Sequence, residues 1–146
     1  MTNSILIGKA IYNLLKNDNT THNYVGDKIF PLVAENDTTF PFIAYTRENV
    51  NGSTGYTKDG CVGDDVQFRV DIVSDSYNES CEIALAVRTC LEKPYLALTE
   101  TIPTNDPQNP QVVRIMRIYE CKMYSINEFY DSETFIQTMR FVCKVA

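Results

Sequence analysis

The segment Asp64–Glu92, DDVQFRVDIVSDSYNESCEIALAVRTCLE, switches its hydrophobic period from two to 3.6 within a few residues. Val66, Phe68, Val70 and Ile72 alternate with Gln67, Arg69 and Asp71, which predicts a strand with one apolar and one polar face. Ser76 is a good N-cap, and Glu79 lies three residues on, so Ser76–Glu79 fits a capping box. Cys81, Ala84, Leu85, Arg88 and Leu91 then recur at helical spacing, with Ile83, Val87 and Cys90 widening the stripe. Lys93-Pro94 ends this helix, because proline disfavours helical geometry in the residue before it. Both elements have an apolar face to bury, so the helix is expected to lie across the sheet that contains the strand.

Upstream, Thr2–Lys16 reads as a helix. Ile7, Ala10, Ile11, Leu14 and Leu15 share a face, Ile5 and Leu6 extend it, and Thr2, Asn3 or Ser4 supplies a cap. The polar run Asn17–Thr21 reads as its end, and Gly26-Asp27 as a turn. Lys28–Val33 is extended but contains Pro31, which confines it to a sheet edge. Phe40–Arg47 is a second strand. Asn49–Gly63 reads as a long loop, of a length at which loops are functional or disordered. Tyr95–Gln111, with Pro103, Pro107 and Pro110, reads as a second mobile connection. Val112–Tyr130 is too long for one unbroken strand and predicts a bulge near Glu120–Ser125. Asp131-Ser132-Glu133 turns it into a last strand carrying Phe135, Gln137, Met139, Phe141, Cys143 and Val145 on one parity. The expected fold is a single α+β domain over residues 1–146. Its sheet is mostly antiparallel with about four to five strands, and two helices pack on one face.

The bulk properties exclude several functions. The net charge is −6, and the thirteen Lys and Arg are scattered, whereas a nucleic-acid binder carries a basic patch. The N-terminus has no basic leader ahead of an apolar run, which is not a signal-peptide pattern, and the expected location is a cytoplasm. No stretch approaches the ~18 apolar residues of a membrane span. Cys61, Cys81, Cys90, Cys121 and Cys143 form an odd set without C-x-x-C and read as buried free thiols.

Chemistry is hard to find. The single histidine, His22, lies in a polar run; a hydrolase or transferase would have to combine it with Ser53 or Cys61. Gly52-Ser53-Thr54-Gly55 lacks the phosphate-loop pattern. Asp59, Asp64 and Asp65 lack calcium-loop spacing and read as a solvated acidic loop. No metal, no cofactor and no catalytic residue is expected, which favours an assembly module over an enzyme.

Three segments together resemble one family. They are the N-terminal helix with its turn and Lys28-Ile29-Phe30-Pro31-Leu32; Phe40-Pro41-Phe42-Ile43-Ala44-Tyr45, close to a P-[YF]-[IV]-x-Y signature; and the strand–helix VQFRVDIVSDSYNESCEIALAVRTCLE followed by a C-terminal hairpin. Their order and spacing are similar to the tail completion (tail terminator, head-to-tail joining) proteins of long-tailed bacteriophages and prophages. The resemblance implies a non-catalytic virion protein, made in the bacterial host cytoplasm and built into the tail or neck. It implies a homo-hexameric ring that stops growth of the tail tube and mates with the head connector. The partners would be other copies of the chain, the tail tube protein and the connector or neck protein. DNA would pass through the lumen without specific binding, and no membrane is involved. The Tyr95–Gln111 insertion departs from the family pattern. In this reading the contact residues are Gln67, Arg69 and Asp71 on the polar strand face. Tyr56, Lys58 and Asp59 in one long loop, and Gln108 and Asn109 in the other, complete the set. The alternatives are another neck or tail-tube subunit on a similar fold, and a small hydrolase using His22.

Overall fold

The structure is a computed structural model that describes residues 3–52, 56–57, 60–61 and 63–146, with only the backbone of 56, 57, 60 and 61. A 3-10 turn, Ser4–Leu6, leads into α1 (Ile7–Asn17) and α2 (Asn19–Val25). Then come β1 (Ile29–Pro31), β2 (Phe42–Gly52), β3 (Tyr56–Thr57), β4 (Gly60–Cys61) and β5 (Asp64–Ser74). The chain ends with α3 (Tyr77–Leu91), β6 (Tyr95–Pro103), β7 (Gln111–Asp131) and β8 (Thr134–Val145).

The strand–helix unit forms as expected, with two local differences. The Ser76 side chain accepts from the Glu79 N–H at 3.4 Å. The return half of the capping box runs through Ser74, whose hydroxyl donates to Glu79 at 2.9 Å and accepts from the Ser76 N–H at 3.1 Å. The buried residues of α3 are Ser80, Ile83, Ala84, Ala86, Val87 and Leu91, while Cys81, Leu85 and Arg88 are exposed. The helix is therefore rotated from the stripe read off the sequence. Ile83, Val87 and Leu91 form the denser aliphatic row, and their burial decides the orientation.

The expected α+β domain with four to five strands and two helices is overturned. The sheet has six strands in the order β1-β2-β5-β8-β7-β6 and curls into a half-barrel. It is mixed, because β1 runs parallel to β2 while the other neighbours are antiparallel. The added strand is β6, in the segment read as a mobile connection: Tyr95–Pro103 pairs residue for residue with Gln111–Tyr119. The prolines lie at or beyond its end, so they do not interrupt the ladder. The added helix is α2. Asp18 caps it by accepting from the Thr21 N–H at 3.0 Å and the Thr21 hydroxyl at 2.7 Å, which turns a polar run into a helix start. Strand β2 likewise runs on to Gly52 through what read as loop.

All the helices lie on one face of the sheet. Helix α1 packs on β1, β2 and β6; α3 packs on β5, β8 and β7; α2 sits against α1 and α3. The core between the layers holds Ile7, Ile11, Leu15, Ile43, Val66, Phe68, Val70, Ile72, Ile83, Val87, Leu91, Met139 and Phe141. Phe68 and Phe141 are cross-strand partners and stack at 5.1 Å. Gly8 permits the close seating of α1, since a Cβ there would lie 3.2 Å from the Tyr45 ring.

The expected bulge is present. The β7–β8 register shifts between Tyr119 and Lys122 and again between Met123 and Ser125, and Glu120 has φ 52°. Its backbone donors are taken up by the α3–β6 connection: Glu120 N–H to Pro94 O at 3.0 Å, Cys121 N–H to Lys93 O at 3.1 Å, and Met123 N–H to the Glu92 carboxylate at 3.0 Å. The β7–β8 turn is the predicted short one, with positive φ at both Ser132 and Glu133, as a two-residue hairpin with right-handed twist requires.

Phe68→Ala should cost about 3–5 kcal/mol in denaturant unfolding, whereas Gln67→Ala on the other face should stay within about 0.5 kcal/mol. The Met123 N–H, assisted by Arg88, holds the Glu92 carboxyl below the usual glutamate range. A depressed folded pKa contributes stability above the unfolded pKa, and that contribution is lost as pH falls through the folded value. Glu92→Gln should therefore lower the urea midpoint at pH 7 and reduce the further loss seen on acidification to pH 3.

Candidate assembly surface

Among the described residues, no helix lies on the second face of the sheet. Gln67, Arg69 and Asp71 point there together, as the strand period requires, and all three are half-buried. The register sets Thr46 and Arg140 beside Arg69, and Ala44 and Thr138 beside Asp71. A β-bulge in β2 between Arg47 and Asn49 brings Glu48 into the same cluster. Arg69 reaches Asp71 at 3.0 Å and Glu48 at 3.8 Å, and Glu48 reaches Arg140 at 3.3 Å. Four charges on three strands thus alternate in sign across the middle of the bare face. Glu48 and Arg140 were not picked out by the sequence reading. The available signals were the parity of Glu48 with Ala44 and Thr46 in β2, and the alternation of Arg140 with the apolar row of the last strand.

Beside this cluster an open groove of about 520 Å³ is lined by Leu32, Val33, Phe42, Ala44, Val73, Phe129 and Ile136, with Arg69, Asp71, Thr138 and Arg140. Leu32 and Val33 are 69% and 76% exposed, immediately after Pro31 ends β1. Leu32 has φ 66°, and its N–H bonds the Tyr45 carbonyl. That left-handed residue turns the chain so that two aliphatic side chains stand in solvent, an outlier of the kind that clusters at functional segments.

The remaining predicted contact residues are not brought to this face. Gln108 and Asn109 lie in the exposed turn between β6 and β7, which is pinned by Asp106 and Thr104: Gln108 N–H donates to the Asp106 carboxylate at 2.9 Å, and the Thr104 hydroxyl donates to the Asn109 carbonyl. Tyr56 falls in β3, paired with β4. Lys58 and Asp59 lie outside the described residues, as does Ser53.

Of the residues weighed for chemistry, Ser53, Asp59 and the Cys61 side chain lie outside the described residues, and the others form no joint site. His22 is exposed on α2, a helix where a polar run was expected. Asp64 is buried and accepts the Ser4 hydroxyl, so it is not part of a solvated acidic loop. Cys81 is exposed, contrary to expectation, while Cys121 and Cys143 are buried. Burial raises the Cys90 thiol to about 11, and the neighbouring Cys143 together with burial pushes Cys121 upward. Neither is a ready thiolate nucleophile. Among the described residues no group of His, Cys, Asp or Glu is placed to hold a metal ion, and no helix is long and apolar enough to cross a membrane.

The sheet also ends in open strands. β1 is three residues long and blunted by Pro31 at one side. At the other, β6 presents nine residues whose only charged side chain, Glu100, is already paired with Arg114 at 2.6 Å and Lys9 at 3.6 Å. Such an edge is a template for another strand. A one-sided sheet with open edges and a bare, charge-laced face defines a protein built to pack against other proteins.

Comparison with known proteins gives that class a family. The profile of the family described as tail completion protein gp17 matches residues 9–143, and the chain belongs to that family. It is a structural protein of a phage or prophage tail, carried in the virion. A solved structure titled as the virion of a native gene transfer agent (GTA) particle shares the fold, with TM-score 0.63 over 92% of this chain and 90% of that one, at 14% identity. No curated protein matches in sequence.

Because the ion pairs of the bare face are only half-buried, each is worth about 1 kcal/mol or less. Glu48→Gln should therefore leave the isolated subunit folded, with a denaturation midpoint almost unchanged and less sensitive to salt.

Proposed function

We propose that the chain assembles into a homo-hexameric ring on the head-proximal end of the tail tube. There it stops tube growth and provides the surface on which the head connector docks. It carries out no catalysis, and DNA passes through the lumen without being bound. The observation that carries this reading is the pair of dissimilar open sheet edges, β1 and β6, on either side of a face without helices. Dissimilar edges contact each other head to tail, and a head-to-tail contact closes into a ring when the rotation per subunit allows. The net charge of −6 supports a lumen that repels the phosphate backbone. The bare face with Gln67, Arg69 and Asp71, together with Leu32 and Val33, is the surface that a neighbouring subunit, the tube or the connector would cover. The β6–β7 turn with Gln108 and Asn109, and the segment with Tyr56, Lys58 and Asp59, are assigned to contacts above or below the ring.

The test is complementation. A phage lacking the gene should make tails of uncontrolled length that fail to join heads, and the wild-type protein should restore joining. Val33→Asp and Thr99→Lys, at an exposed aliphatic and on the β6 edge, should leave circular dichroism and melting unchanged yet reduce joining by at least about tenfold, since each removes about 1.4 kcal/mol or more of contact energy. Full complementation by both variants would contradict the proposed contacts. Long tubes formed by the protein alone would indicate a tail-tube subunit instead.

A further inference from the structure

The end of the molecule at the β7–β8 turn holds a hollow of about 270 Å³ lined by Tyr77, Glu128, Phe129, Tyr130, Phe135 and Gln137. Phe135 is flanked by two rings, Tyr77 at 5.7 Å and Tyr130 at 5.0 Å. Tyr77 and Tyr130 are 45% and 65% exposed. Glu128 is fixed beside them, its Oε2 accepting from the Tyr77 hydroxyl at 2.9 Å and from the Gln137 amide at 3.3 Å. Gln137 is itself buried and within reach of Ser80, which anchors the carboxylate to α3. The second oxygen of Glu128 has no donor among the described residues.

Nothing in the surrounding sequence neutralises this site. Residues 72–87 and 123–139 contain no Lys or Arg, yet they supply Asp75, Glu79, Glu82, Glu128, Asp131 and Glu133. Among the described residues no ion pair is made by any of these six. A carboxylate held by hydrogen bonds beside exposed aromatic faces is the arrangement that attracts a cationic side chain. A planar guanidinium suits it better than an ammonium, because it can stack on a ring while its edge hydrogen-bonds the free carboxylate oxygen. The hydrogen bond to Glu128, and then the neighbouring Cys81, raise the Tyr77 phenol to about 12, so Tyr77 stays a donor throughout the physiological range.

We infer that this hollow is an arginine-binding site, occupied by an arginine side chain presented by a partner protein. Exposed tyrosines around a seat for one arginine match the residue types that dominate binding energy at interfaces. The inference does not rest on ring formation: a subunit that failed to cap tubes would leave it standing.

The test is a titration of the 15N-labelled full chain with N-acetylarginine methylamide, followed at the Gln137 side-chain amide, with the neutral citrulline and the lysine analogues run in parallel. The arginine probe should shift the Gln137 amide saturably. Citrulline should bind about tenfold more weakly, the size of one charge-assisted hydrogen bond. Glu128→Gln should weaken arginine by a similar factor, and Tyr130→Ala should weaken it while leaving the rest of the spectrum in place. Equal binding of citrulline, or wild-type binding by both variants, would overturn the site. Equal binding of the lysine probe would overturn its assignment to a guanidinium.

Discussion

Everything in this molecule hangs on the burial of the helix-facing rows of β5 and β8 under α3, in one core with the apolar face of α1. Val66, Phe68, Val70 and Ile72 on one strand meet Met139, Phe141 and Cys143 on the next, and all are 2% exposed or less. With Ile7, Ile11, Leu15, Ile83, Val87 and Leu91 they form one buried apolar cluster, and each Å² of apolar surface removed from water contributes about 25 cal/mol. With those rows fixed, the period of two fixes the rest. Gln67, Arg69 and Asp71 must face away from the helices, and among the described residues no second layer covers them.

That one-sidedness links fold to function. A sheet covered on both faces is a finished object. This one has a finished face and an unfinished one, where half-buried charges pair across strands and exposed aliphatics stand beside a groove. The ion pairs add little stability, and on the proposed reading their pattern of sign is what a partner would match. The bulges serve the same end. One brings Glu48 between Arg69 and Arg140. The other is stitched by Lys93, Pro94 and Glu92 to the end of α3, and beyond Tyr119 the strand parts from β6 and carries Glu128 and Tyr130 to the far end of the sheet.

Much of this could be read from the sequence because periodicity reports burial. The β5–α3 unit, the bulge in β7, the turn at Ser132-Glu133 and the shared face of Gln67, Arg69 and Asp71 all follow from it. What escaped depends on partners distant in sequence. β6 was missed because prolines near its end suggested a loop, while its strand character comes from Gln111–Tyr119 across a turn. α2 was missed because its polar residues signal a turn until Asp18 is seen capping it. The rotation of α3 was set by the sheet it lies on. The aromatic hollow combines Tyr77 on a helix with Glu128, Tyr130 and Phe135 on two strands, a meeting that no local spacing announces.

The central proposal is that the open edges are completed by other copies of the chain in a ring, and the bare face by a neighbouring subunit, the tube or the connector. The direct measurement is native mass of the purified protein, alone and after mixing with tail tubes, with negative-stain images of each. The account predicts a six-subunit ring, either free or formed on tube ends, that blocks further growth of the tube. A protein that stays monomeric and leaves tube ends bare would contradict it.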